Sequence, residues 1–217
     1  MRTKRSLRLA LGVLVGALLP VAPAIELWAQ QQRAFMAVGE NRLAPLPFVK
    51  FCQQKPWRCS PSKETRRITL DDSHRNELER VQREVNRDIA PSAHLPINSN
   101  APWHDRATVG YCYDFALAKR SRLLDRGYPS SALLLAVAII PDGTAHLVLV
   151  AVTDRGDYVL DNLQPDVVRW DSLPYRWVMR SMPENPQYWQ AILKPRLLSE
   201  IGKPADGQGS PPRHACS

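Results

Sequence analysis

The sequence predicts an α+β domain in which a helix carrying a cysteine at its start packs on an antiparallel sheet carrying a histidine and an aspartate. Three observations support this. Gly110-Tyr-Cys-Tyr-Asp-Phe-Ala116 stands where a loop turns into a helix. Two apolar, β-branched runs, Leu133 to Ile140 and Ala145 to Val152, are separated by Pro141-Asp-Gly-Thr144, and the second contains His146. A further run, Tyr158 to Asn162, follows a turn at Asp154-Arg-Gly-Asp157 and contains Asp161. Thiol, imidazole and carboxylate in that order are a common layout for a cysteine nucleophile, its base and the group that orients the base.

In chain order, the first element is a leader. Arg2, Lys4, Arg5 and Arg8 form a basic start, Leu9 to Leu19 is apolar and uncharged, and Ala22-Pro-Ala24 has small residues at the spacing signal peptidase reads. The spacing predicts a signal peptide over 1–24, with a second cut after Ala29 as the alternative. A bilayer span needs about 20 apolar residues, so the run is short for a permanent anchor. Removing 1–24 leaves 25 basic and 21 acidic residues, a net charge of +4. That mild excess calls for no nucleic-acid partner. The basic clusters Lys63 to Arg67 and Lys119 to Arg122 also lack the interleaved aromatics of a stacking platform.

Residues 25–68 read as an irregular, proline-punctuated arm. Within it Cys52 and Cys59 bracket Gln-Gln-Lys-Pro-Trp-Arg, a short loop that an oxidising compartment would let them close as a disulfide. Their spacing is wrong for a zinc knuckle, and no second Cys/His pair lies nearby. Cys216 falls in a tail, 202–217, rich in Gly, Pro and Ser, where a disordered thiol is expected. Cys112 is thereby left as the unpaired cysteine of the ordered chain.

The catalytic unit is expected over 69–201. Thr69-Leu-Asp-Asp72 resembles a capping box, and Leu78, Val81, Val85 and Ile89 recur at helical spacing, predicting an amphipathic helix to about Asp88. Residues 91–102 read as a loop. A second helix begins near Tyr111 or Cys112 and stops at Gly127-Tyr-Pro129. A cysteine in a first turn meets unpaired N–H groups and the positive end of the helix dipole, which stabilise a thiolate and can hold an oxyanion. The competing reading is a small core cysteine.

A histidine within Ala-His-Leu-Val-Leu-Val needs partners for its nitrogens, and Asp161 on the next strand can supply one. A turn centred between Arg155 and Gly156 would set Asp161 opposite Val150. That is the same sheet face as His146 but roughly 13 Å along the strand, so a bulge, a longer loop or strong twist must join them.

The segment from about Trp103 to Ile192 resembles the bacterial transglutaminase-like cysteine proteinases. Cys112-Tyr-Asp114 with Lys119 and Leu123 behind it, Gly127, His146-Leu-Val-Leu149, Thr153-Asp-Arg-Gly-Asp157, Leu160-Asp-Asn-Leu163, Trp170 and Tyr175-Arg176 carry the likeness. Phe51-Cys52 and Pro56 with Cys59 extend it. The resemblance implies a papain-like or transglutaminase-like fold with Cys112 as nucleophile, His146 as base and Asp161 as orienter. It also implies a periplasmic or secreted endopeptidase acting on an exported protein such as a surface adhesin, with an inner-membrane regulatory protein as a further partner.

Where the family usually reads Gly-Asp-Cys-Glu-Asp-Tyr, this chain has Tyr111 and Tyr113 in place of the two acidic neighbours. Those acids help bind calcium in part of the family, and calcium wants several oxygen ligands. Asp114 alone is a poor remnant, so no cofactor is required and calcium at Asp114 stays the open alternative. Trp103 is a candidate oxyanion donor by its place upstream of Cys112, with hydrophobic packing its other reading. Trp170, Trp177 and Trp189 read as core or interface aromatics. Two other functions share these residues: a transamidase or amidase on the same fold, and a catalytically inactive periplasmic binding module.

Overall fold

The computed structural model describes residues 34–92 and 101–193. The leader expected at 1–24, the tail at 202–217 with Cys216, and most of the loop at 91–102 lie outside them. No helix among the described residues is long and apolar enough to cross a membrane.

The N-terminal segment is more regular than its prolines suggested. Strand β1 (Val38–Arg42) leads into helix α1 (Leu46–Gln54), and a single turn of 3₁₀ helix, Pro56–Arg58, closes the loop between Cys52 and Cys59, which are bridged. That loop delivers two cations to the body of the protein. Lys55 Nζ pairs with the buried Asp105, and Arg58 reaches Asp105 at 3.3 Å and Asp125 at 2.5 and 3.0 Å.

Helix α2 (Asp72–Asp88) is capped by Asp71, whose side chain accepts the His74 N–H at 2.8 Å; the expected Thr69 lies further upstream. Leu78, Val81 and Val85 face the core, and Ile89 is buried just beyond the helix end. Helix α3 (Cys112–Asp125) ends as its sequence predicted. Gly127 takes φ +86°, Gly127 N–H donates to Leu124 O, and Tyr128 N–H donates to Leu123 O, the paired bonds of a Schellman stop. Two short parallel strands, β2 (Ala90–Pro91) and β3 (Val109–Gly110), tie the exit of α2 to the entrance of α3.

The sheet has seven strands in the order β1-β9-β8-β4-β5-β6-β7, with every neighbour antiparallel. Here β4 is Leu133–Ile139, β5 Ala145–Thr153, β6 Gly156–Leu160, β7 Val168–Arg169, β8 Arg176–Ser181 and β9 Trp189–Ile192. The meander read from the sequence is β4-β5-β6, its central part. Because β1 pairs with β9, the N-terminal segment contributes an edge strand of the same sheet rather than a detached arm. The core joins α2, α3 and the strands in one cluster. Trp170 and Trp189 are buried in it and Trp177 packs against it.

Candidate active site

Cys112 is the first residue of α3 and 3% exposed, and α3 packs on β5. The Leu147 N–H donates to Cys112 Sγ at 3.4 Å, so the sulfur lies against the strand one residue past His146. One expectation about this cysteine is corrected: it is disulfide-bonded here rather than unpaired, and among the described residues no cysteine is free. A sulfur in a disulfide is not a nucleophile, so attack by Cys112 requires that this bond first be reduced.

His146 Nε2 and Asp161 Oδ1 are 2.6 Å apart, both side chains wholly buried. An ionised carboxylate only accepts, so the neutral imidazole carries its hydrogen on Nε2 and its lone pair on Nδ1. Nδ1 is buried and makes no hydrogen bond among the described residues.

The β5–β6 turn lies one residue earlier than the sequence predicts. Thr153 pairs with Gly156, so Asp154 and Arg155 alone form the turn. Leu149 pairs with Leu160, and the register therefore carries Asp161 opposite Val148 instead of Val150. It is then two residues from His146, roughly 7 Å along the strand. The β5–β6 register is unbroken, so no bulge is used. Instead β6 ends at Leu160, and the chain bends away in time for the Asp161 carboxylate to turn back to the ring. The turn is braced by a segment ahead of α2: Ile68 N–H donates to Val152 O, and Leu70 N–H to Asp154 Oδ1.

Asp161 is the most heavily bonded side chain in the site. Oδ1 also accepts the Leu163 N–H at 2.9 Å, and Oδ2 accepts the Tyr175 hydroxyl at 2.7 Å. Burial opposes the charge, but these donors with His146 hold the carboxyl below its ordinary range. The Tyr175 ring also meets His146 edge-on at 6.1 Å, and burial together with its bond to Asp161 pushes its hydroxyl upward. Helix α2 holds the loop from behind: Gln82 Nε2 donates to the carbonyls of Asp161 and Gln164 at 2.6 and 2.8 Å, and Asn86 reaches the same two oxygens.

These supporting residues were not assigned roles from sequence. Gln82 carried a signal, an amide on the apolar face between Leu78 and Val85. Tyr175 carried none beyond its place in the family likeness, since its bond to Asp161 spans 14 residues.

Asp114 is buried at 3% exposure, and its oxygens accept the backbone N–H groups of His104 and Tyr111 at 2.8 and 2.9 Å. A Cβ on Gly110 would come within 2.8 Å of this carboxylate, so glycine there permits the close approach. Burial raises the carboxyl, with the two N–H donors opposing. The group staples the loop before Cys112 to the start of α3. Each of its oxygens accepts one backbone N–H. No group of three or more His, Cys, Asp or Glu among the described residues could hold a metal.

Tyr111, Tyr113 and Trp103 are half-buried around this staple. Tyr113 stacks on Trp103 at 5.2 Å with 8° between planes, and Trp103 continues to Phe48 at 6.0 Å. Trp103 therefore packs as an aromatic on Tyr113, the residue after Cys112.

Comparison with known proteins gives one family and a few solved structures. A family model described as bacterial transglutaminase-like cysteine proteinase matches residues 38–196. No curated protein matches the chain. Legionella pneumophila LapG is similar with 25% identity and a TM-score of 0.41, over 48% of this chain and 63% of that one. The calcium-bound form of Legionella pneumophila LapG gives 19% identity and a TM-score of 0.43, over 72% of this chain and 81% of that one. The chain thus spans less than two thirds of the first of these structures.

Proposed function

Because this chain belongs to the bacterial transglutaminase-like cysteine proteinase family, whose members are cysteine peptidases, we propose that it cleaves peptide bonds with Cys112 as nucleophile, His146 as base and Asp161 as orienter. The observation that carries the assignment is His146 Nδ1, which makes no hydrogen bond among the described residues. Its other nitrogen is fixed by Asp161 at 2.6 Å, and Cys112 Sγ lies against the next residue's N–H.

A thiol reductant first releases the Cys112 thiol, taking its own sulfur to the disulfide level. Nδ1 takes the thiol proton, leaving a thiolate and an imidazolium whose Nε2–H remains on Asp161. The thiolate adds to the peptide carbonyl, and the oxyanion is met by the Cys112 backbone N–H at the start of α3. Trp103, stacked on Tyr113, is the side-chain candidate for a second donor. The C–N bond breaks as Nδ1–H protonates the leaving amine. Water, deprotonated by Nδ1, then hydrolyses the thioester, and thiol and carboxylic acid are regenerated.

By family likeness the substrate is an exported protein such as a surface adhesin, met in the periplasm after the leader is removed and under control of an inner-membrane protein. No metal takes part in these steps, and Asp114 accepts the backbone N–H groups of His104 and Tyr111.

The test is proteolysis of an unfolded protein substrate by the full chain, with and without dithiothreitol. Cleavage should appear with reductant, vanish in Cys112→Ala and be unchanged by EGTA. Equal cleavage by Cys112→Ala would overturn the nucleophile, and abolition by EGTA would overturn the reading of Asp114.

A further inference from the structure

Gln82 lies on the buried face of α2 with Leu78, Val81 and Val85, and is itself wholly buried. A polar side chain there is costly unless its atoms are used. Its Nε2 directs hydrogen bonds to two backbone oxygens, Asp161 O at 2.6 Å and Gln164 O at 2.8 Å. Asn86, one helical turn on, sends its Nδ2 to the same two oxygens at 3.3 and 3.1 Å. The amide oxygens of both residues, Gln82 Oε1 and Asn86 Oδ1, are buried and make no hydrogen bond among the described residues. The two amides are therefore used on their donor side alone. An apolar side chain would fill the same volume without leaving a buried acceptor unpaired.

The turn held in this way is the one that presents Asp161. Strand β6 ends at Leu160, Asp161 opens the turn, and Gln164 closes it with its N–H on Asp161 O at 3.3 Å. Within it the Leu163 N–H donates to Asp161 Oδ1 at 2.9 Å. Gln164 Nε2 donates to the Tyr175 hydroxyl at 3.4 Å, and that hydroxyl donates to Asp161 Oδ2 at 2.7 Å. One donor on the carboxylate thus belongs to the turn and another touches its last residue. A shift of the turn away from α2 moves the carboxylate that meets His146 Nε2 at 2.6 Å. Misplacing a catalytic group by about 1 Å can cost on the order of a hundredfold in rate.

We propose that Gln82, supported by Asn86, is a positioning residue of this site: from α2 it clasps both ends of the Asp161–Gln164 turn and so holds the carboxylate on His146. The proposal rests on the roles given above to Cys112, His146 and Asp161. Helix α2, which contributes no group to the acyl-transfer steps, thereby becomes part of what orients the imidazole.

A double-mutant cycle on the reduced full chain tests this, reading the rate at which iodoacetamide labels Cys112 at pH 6. Gln82→Met keeps the length and loses both donors, and should slow labelling by about tenfold. In an Asp161→Asn background the same change should slow it no further, because a residue acting only through Asp161 has nothing left to act on. Losses that multiply, or labelling of Gln82→Met at the wild-type rate, would overturn the proposal. Asn86→Ala, at a half-buried position with the longer bonds, should slow labelling by about twofold to threefold and carries the cycle if Gln82→Met does not fold. The proton NMR resonance of His146 Nε2–H, read with the Cys112 disulfide intact, supplies a signature that lower stability alone would not move. It should shift upfield in Gln82→Met and in Asn86→Ala, and an unchanged position would overturn the proposal. Slow labelling of the wild-type chain would count against the catalytic roles alone, and the imidazole resonance would then decide whether Gln82 holds the His146–Asp161 bond.

Discussion

Replacing Lys119 by methionine should make the fold more stable in acid and leave it little changed in alkali. An ordinary lysine keeps its proton up to 10.5, whereas burial brings Lys119 down to about 7. At 1.36 kcal/mol per pH unit that gap is worth about 5 kcal/mol, an upper figure for the cost of the buried charge. Between pH 7 and 10.5 the unfolded chain holds a proton that the folded chain has released, so wild-type stability rises with pH across that window. Below it the folded protein bears the whole cost. Methionine has similar length and does not titrate, and swaps of buried ions for apolar residues typically gain about 1–4 kcal/mol. We therefore expect Lys119→Met to be more stable than wild type by about 2–4 kcal/mol at pH 6, with the difference mostly gone by pH 10. Urea unfolding of both proteins at pH 6, 8 and 10, with disulfides intact, measures it. A difference that does not change with pH, or a variant less stable at pH 6, would refute the reasoning.

The Cys52–Cys59 bridge closes a short loop, with a sequence separation of 7, and its removal in a Cys52→Ser, Cys59→Ser double variant should cost about 2–3 kcal/mol in denaturant unfolding. An unchanged midpoint would mean that the ion pairs of Lys55 and Arg58 hold the loop unaided. Tyr175→Phe removes a 2.7 Å hydrogen bond to Asp161 and should lower kcat/KM by about tenfold, as loss of an orienting partner commonly does. The loss should be steepest in acid. Asp161 is held below its ordinary range, so its contribution disappears as pH falls through its folded value, and that value rises when a donor is deleted. Parallel pH–rate curves for wild type and Tyr175→Phe would contradict this.

What could be read from the sequence was what local chemistry decides. Gly127 stops α3 because the Schellman geometry needs a residue at positive φ, and the apolar runs around Pro141-Asp-Gly-Thr144 could hardly be anything but paired strands. What was missed depends on distant partners. Val38–Arg42 has no alternation to mark it as a strand; it is one because β9 runs alongside it some 150 residues later. The sequence centres the turn after β5 between Arg155 and Gly156, whereas it closes on Asp154 and Arg155, where Ile68 and Leu70 brace it. That one residue decides whether Asp161 is near His146. The disulfide at Cys112 was likewise beyond local reading, since nothing in Gly110 to Ala116 marks its sulfur as bonded.

The central claim is that His146 activates Cys112. Its most direct measurement is the rate at which iodoacetamide labels Cys112 in the reduced protein at pH 6, located by mass spectrometry and compared with His146→Ala. A thiol of ordinary pKa, about 8.5, is almost wholly protonated at that pH, whereas one paired with an imidazolium is ionised. The wild-type chain should label fast, and His146→Ala slower by roughly a hundredfold. Equal rates in the two proteins would contradict it.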